Sequence, residues 1–364
     1  MTRLPALLLL AACSTAEKAP RPSGIDTTPS VPAESPRFAM AHGAVDSVKA
    51  SRSIKRVDTS WVDTVRTYAT IRVPVAPTVL SGTPFLGYEC TAATLKPYTT
   101  CVRAAGSWSA NDLAAMKAVG GTLMLNQGGY GKFQNCSVGH TAAEIAVLCD
   151  KKKTPTADRR YNPAQYKAWV YALAPYAQSW QPFIADGTLI GAQVIDDIGT
   201  GTWDVAITKG QQDTMAMWWK EVVPGITTFT REKATGLTGY DWKYLDASLT
   251  SYNGRYMGDI RLWRDSNVVA AKQAKLSLML GVNLLDGGKL VPGCYHGADP
   301  RYCAMTPEEL YTWGMIQLST PGICGWVTWK LDAAYQSRPG IAPALQTLAA
   351  MAARLPAPPC RRPS

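Results

Sequence analysis

Leu189-Ile190-Gly191-Ala192-Gln193-Val194-Ile195-Asp196-Asp197 is a short, almost wholly apolar run that ends on two carboxylates. A strand buried on both faces of a parallel sheet has this composition, and in a closed β/α barrel the C-terminal strand ends carry the functional groups. Similar runs recur at 84–89, 121–127, 226–231, 247–252, 276–283 and 322–331. Stretches of helical period separate them at 110–119, 163–185, 211–222, 256–274 and 307–318, and a last one covers 341–354. Several open on N-terminal signals: Ser109, Asn162 before Pro163, and Thr306 before Pro307, Glu308 and Glu309. Alternating strands and helices build a parallel sheet covered by helices. The expected fold is α/β, a (β/α)8-type TIM barrel with seven strands visible. The eighth is expected from the β pattern near Ile71 or from an irregular strand. An open doubly wound sheet is the competing architecture, and it normally carries a Gly-rich phosphate loop after its first strand. Gly128-Gly129-Tyr130-Gly131-Lys132 has neither the Walker spacing nor the dinucleotide fingerprint.

Side-chain parity selects the candidates for the barrel mouth. If Ile190, Ala192 and Val194 face the helices, then Gly191, Gln193, Ile195 and Asp197 face the axis, and Asp196 turns toward the strand–helix side to cap the next turn. By the same alternation Asn283 points into the mouth, and Asp286 comes next in a loop where Gly287 and Gly288 permit a sharp turn. Glu89, Arg231 and Tyr252 end their strands at that rim. Trp326 and Trp329 face opposite sides of the last strand, so one of them reaches the pocket. Against these stand plainer roles: Glu89 ordering the loop at Cys90, and Asp286 forming a turn. Tryptophans on helical stretches, such as Trp169, Trp180, Trp218 and Trp219, are expected to pack.

The N-terminus begins Met1-Thr2-Arg3, continues through the apolar residues 4–12, and reaches Cys13. A charged start, an apolar core and small residues before a cleavage point form a secretion signal. Leu10-Ala11-Ala12-Cys13 resembles the lipobox of bacterial lipoproteins, and the resemblance implies cleavage before Cys13 and lipidation of its thiol. An ordinary signal peptide with an incidental cysteine is the alternative. The expected organisation is a signal peptide at 1–12, a flexible Pro/Ser/Thr-rich tether at 13–61, a short β segment at 62–79, a barrel domain at 80–356 and a C-terminal tail at 357–364. The membrane is then a partner through the lipid alone, and the protein is exported and held at the cell envelope.

The chain has nine cysteines. Setting Cys13 aside leaves an even number, which reads as a disulfide framework in an exported protein. Proximity favours Cys90 with Cys101, Cys136 with Cys149, Cys294 with Cys303, and by exclusion Cys324 with Cys360. A zinc site using Cys136 and His140, or Cys294 and His296, competes, but the chain has only three histidines, and no metal or other cofactor is expected. The net charge of +10 is dispersed. Lys151 to Lys153 and Arg361 with Arg362 read as solvated loop and tail charges, so nucleic acid is not expected as a partner.

Facing carboxylates with an amide, an arginine, a tyrosine and a tryptophan are what glycosidic cleavage needs: one acid for the leaving oxygen, one carboxylate to attack or to activate water, and an aromatic face for the sugar. The strand endings Val194-Ile195-Asp196-Asp197, 281–288 and Gly325-Trp326-Val327-Thr328-Trp329 resemble those of glycoside-hydrolase-type barrels. The resemblance implies Asp197, Asp286 and Glu89 as catalytic candidates, Asn283, Arg231, Tyr252, Trp326 and Trp329 as substrate contacts, and a polysaccharide or glycoconjugate as partner. Retaining members of the large glycosidase clan carry Asn-Glu and a second Glu three strands apart; here the first position is Asp196-Asp197 and the second an aspartate displaced into a loop. A non-catalytic glycan-binding or scaffold lipoprotein is the alternative. No Gly-x-Ser-x-Gly elbow and no His-Glu-x-x-His motif occurs.

Overall fold

A computed structural model describes residues 45–57, 60–71, 85–88, 100–104, 109–118, 122–126, 130–297, 299–329, 332–352, 354–355 and 359–363, with side chains described from 109 onward. Cys13, Glu89 and Cys90 lie outside the described residues, and so does the pairing expected for Cys101. Among the described residues no helix is long and apolar enough to cross a membrane.

Strands β1 (Val45–Val57) and β2 (Ser60–Ile71) pair antiparallel as a two-stranded sheet. The β pattern near Ile71 is therefore one arm of a hairpin, whose other arm lies in the stretch read as tether. It is not the eighth barrel strand. That strand is β4 (Thr100–Ala104), between β3 (Phe85–Tyr88) and β5 (Thr122–Asn126). The chain continues through β6 (Leu189–Asp196), β7 (Thr228–Arg231), β8 (Ala247–Tyr252), β9 (Ser277–Asn283) and β10 (Ile323–Trp329). All these neighbours pair in parallel, and β10 pairs with both β9 and β3, which closes the barrel.

Helix starts obey the sequence signals. Asn162 accepts the Gln165 amide at the start of helix Pro163–Tyr171, and Thr306 with Glu309 forms a capping box on Pro307–Leu318. The single helix expected over 163–185 is two, Pro163–Tyr171 and Ala174–Ala185. Pro175 sits in the first turn of the second, where its missing N–H costs nothing, but it cannot continue the first.

Met124, Phe229, Ala247, Leu249, Met279 and Val327 meet inside the barrel. The outward residues pack against helices: Leu123, Leu125, Ala192 and Val194 under Tyr166, Trp180 and Trp219, and Leu278, Leu280 and Trp326 under Leu310 and Leu348. The lower end is closed by the tail. Cys360 is buried and bonded to Cys324 of β10. The Arg361 carbonyl accepts the Ser277 hydroxyl, and its guanidinium donates to the Gly225 carbonyl at 2.7 Å. The Arg362 amide donates to Asp246, which also pairs with Lys220 at 2.8 Å. Arg361 and Arg362 are thus structural partners of the strand starts, contrary to the expectation of free tail charges. Disulfides Cys136–Cys149 and Cys294–Cys303 are also present, which gives Cys136 and Cys294 a sulfur partner in place of the competing zinc reading.

Candidate active site

The register of β6 decides which acid faces where. Gln193 lies beside Phe229 and Asp196 beside Arg231, so β6 holds one more residue than β7 over this span. Such a bulge inverts the parity of the residues beyond it. Phe229 faces the interior, and Arg231, two residues on, shares its face. Gln193 faces inward as expected, but the bulge brings Asp196 to the same side, correcting the strand–helix orientation expected for it. The Asp196 carboxylate is buried 3.0 Å from the Arg231 guanidinium, and its other oxygen accepts the Asp197 amide at 2.8 Å. Arg231 is accordingly a brace for Asp196.

Asp197 leaves the strand with φ +46°, in the left-handed region that Asp and Asn tolerate better than most residues. Its carboxylate accepts the Tyr130 hydroxyl at 3.1 Å, and its carbonyl accepts the indole N–H of fully buried Trp203 at 3.0 Å. Trp203 in turn meets the Tyr130 ring edge-on. Glu232, directly after Arg231, is half-buried. One of its carboxylate oxygens accepts the Lys233 amide at 2.9 Å, while its carbonyl accepts the hydroxyls of Ser248 and Thr250.

Burial raises the Asp197 carboxyl above the ordinary aspartate range, and the negative charge of Asp196 adds to this against the opposing pull of Arg231 and the Tyr130 hydroxyl. Burial likewise raises Glu232, opposed by Lys233 and assisted by Asp196 and Asp197. Tyr130 is pushed up by burial and by both aspartates, so it stays a donor. Two carboxyls that resist ionisation beside a third fixed by an arginine keep their protons to higher pH than free carboxyls do, which suits proton exchange with a substrate. Tyr130 favours the ionised form of Asp197, so Tyr130→Phe is expected to move the Asp197 titration to higher pH. Carboxyl-carbon NMR across the acid range checks this, and an unchanged or lower midpoint contradicts it.

The other sequence candidates fall elsewhere. Asp286 is buried and accepts the Asp299 amide at 3.2 Å, its own amide donates to Asn283, and its carbonyl accepts from Asn253. It is bound into the loop after β9. Gly287 and Gly288 serve close packing there: a Cβ on either would stand 2.2 Å from the Asn283 carbonyl oxygen or 2.4 Å from that of Ala304. Tyr252 does not reach the mouth. It is buried outside the barrel, edge-on to Trp263 and Trp313, with its hydroxyl on the Gly258 carbonyl. Trp326 also faces outward, donating to Gln317 at 2.6 Å. Trp329 lies in register with Asn283, and its side chain is outside the described residues. Parity does not single out Tyr130, Trp203 and Glu232, because none lies within a strand. Among the described residues no group of acids, histidines and cysteines is arranged to hold a metal ion.

No protein-family model and no curated protein matches the chain. Among solved structures it is similar to the glycoside hydrolase domain of PelA from Pseudomonas aeruginosa, at 13% identity over 72% of this chain and 96% of that one, with a TM-score of 0.39. It is also similar to a glucosidase from Croceicoccus marinus, at 10% identity over 76% of this chain and 68% of that one, with a TM-score of 0.44. A β-D-glucuronidase from Dictyoglomus thermophilum is 9% identical over 84% of this chain and 57% of that one, with a TM-score of 0.45.

Proposed function

We propose that the chain hydrolyses glycosidic bonds at the upper ends of β5 to β7, with Asp197 as general acid and Glu232 as the second carboxylate. The observation that carries this reading is the grouping of Asp197 and Glu232, both held toward their protonated forms, around the Asp196–Arg231 pair and the Tyr130 hydroxyl. In the proposed step Asp197 gives its proton to the glycosidic oxygen as the bond from that oxygen to the anomeric carbon breaks. Glu232 in its ionised form either takes the proton of a water that adds to the anomeric carbon, or attacks that carbon itself; in the second route water then displaces Glu232, breaking the ester bond, and gives its proton to Asp197. Glu232 stands in place of Asp286, whose carboxylate is occupied by the Asp299 amide. Glu89 lies outside the described residues and has no part in the proposed step. Lipid anchoring through Cys13 belongs to the same proposal. It rests on the lipobox resemblance, and the three disulfides are in keeping with export.

A glycan-library screen of the chain from residue 14 onward tests the activity. New reducing ends from at least one polysaccharide are expected, and Glu232→Gln is expected to abolish them. Binding with no cleavage across the library would replace this proposal with the glycan-binding reading, and undiminished cleavage by Glu232→Gln would remove Glu232 from the mechanism.

A further inference from the structure

A cavity of about 530 Å³ opens beside the acid cluster, between the loop after β5, the loop after β6 and helix Ala142–Leu148. Tyr130 belongs to both: its hydroxyl donates to Asp197, and the residue lines the cavity. The wall is mixed, with Ile145 on one side and Lys132, Lys151 and Arg159 supplying positive charge. Arg159 is already engaged, buried and paired with Asp204 at 3.0 Å. Asp150, the one acid among the lining residues, directs its carboxylate to the Lys152 amide at 2.9 Å and to Lys153 at 3.7 Å. Lys132 differs from both. Its ammonium lies over the rings of Trp169 and Phe133, at 4.5 and 5.0 Å, and it has no carboxylate partner among the described residues.

A half-buried ammonium resting on aromatic faces, with no carboxylate partner among the described residues and on a residue that lines an open cavity, is a site prepared for an anion. We infer that this cavity is a subsite for an anionic substituent of a saccharide, with Lys132 as the residue that selects for the charge, next to the reacting bond at Asp197. The inference rests on the proposed glycoside chemistry for its ligand class. Burial lowers the Lys132 ammonium to about 8, so the cation is present at pH 7 and is lost as the pH rises above 8. The other charged residues lining the cavity are Lys151, Asp150 and Arg159, the last paired with Asp204.

Titration calorimetry with defined oligosaccharides, on Asp197→Asn protein so that nothing turns over, tests the inference apart from the activity. The probes are a tetragalacturonate, its full methyl ester, and a sulfated galactan oligosaccharide of equal length. At pH 7 one of the two anionic probes is expected to bind about tenfold or more tightly than the neutral ester, the scale of one charge-assisted hydrogen bond. Tighter binding of the first identifies a carboxylate, and of the second a sulfate. Lys132→Gln is expected to remove the preference. Lys132→Arg is expected to keep it at pH 9.5, where the protein with Lys132 has lost it. Equal affinity for charged and neutral probes, or a preference that survives Lys132→Gln, overturns the subsite. Cleavage of a neutral glycan with no charge preference would defeat the subsite alone, and anion selectivity without any cleavage would defeat the activity alone.

Discussion

Asp197→Asn is expected to lower the rate of glycoside cleavage by about a hundred- to ten-thousand-fold, the range lost with a positioned general acid, while leaving the barrel at least as stable as before. The two halves of this expectation have separate causes. The amide cannot give a proton to the leaving oxygen, but its oxygen still accepts the Tyr130 hydroxyl, and Asn is as tolerant as Asp of the φ of +46° at this position. Alanine would confuse the two effects by adding backbone strain. The stability half comes from proton linkage. A carboxyl whose folded-state pKa is raised binds its proton more tightly when folded, so the wild type loses stability as pH rises from the ordinary aspartate range through the raised value. Asparagine does not ionise, and above that window the variant escapes the loss. In the wild type the same titration should set the basic limb of the pH–rate profile. Steady-state rates with urea melts at pH 5 and pH 8 check both halves. A variant that keeps more than a tenth of the wild-type rate would remove Asp197 from the chemistry.

The largest effect on stability is expected from Arg231→Met, which leaves the Asp196 carboxylate buried without its cation. Removing one partner of a buried ion pair costs about 3–5 kcal/mol, and here the side chains of Arg231 and Asp196 are only 21% and 8% exposed. Asp196 also fixes the Asp197 amide, so the loss should include the geometry of the acid cluster. Asp196→Asn combined with Arg231→Met should recover most of the stability, because no buried charge remains. Urea midpoints of the two single variants and the double variant form the cycle that checks this. Additive losses would show that the ion pair is not the cause.

The strand–helix alternation is legible in the sequence because short runs rich in apolar and β-branched residues recur between longer stretches of helical period. The same property hides the side-chain parity, since strands buried on both faces carry no inside–outside alternation to read. In β8, Ala247 and Leu249 line the interior, which sends Tyr252 outward, although an aromatic at a strand end looks like a rim residue. Which of Trp326 and Trp329 faces outward is hidden for the same reason, and it is Trp326 that packs against the helices. Strand β4 is hard to see because Thr100-Cys101-Val102-Arg103-Ala104 is short and mixed in polarity, with an arginine next to its last position. The bulge in β6 has no signature in Val194-Ile195-Asp196, and it turns Asp196 to the inner side, where parity does not place it. Tyr130 and Glu232 sit one loop or one residue beyond their strands, where periodicity has nothing to report. The local disulfide pairs Cys136–Cys149 and Cys294–Cys303 are accessible by proximity because each closes a single loop.

The plug at the lower end of the barrel makes the two ends of every strand unequal in time as well as in chemistry. Residues 360–362 bind the starts of β7 to β10 to one another through a disulfide and hydrogen bonds to Gly225, Asp246 and Ser277. Opening the ladder from that side would break several of these ties together. At the upper end the loops are tied to their neighbours by hydrogen bonds and ion pairs, such as Tyr130 to Asp197 and Arg231 to Asp196, and the two disulfides Cys136–Cys149 and Cys294–Cys303 each close one loop on itself. Backbone amides should therefore exchange with solvent along a gradient, slowest near the plug and fastest at the rim, so that local openings concentrate where Asp197 and Glu232 lie. The rigidity of one end lets the other breathe without loosening the whole.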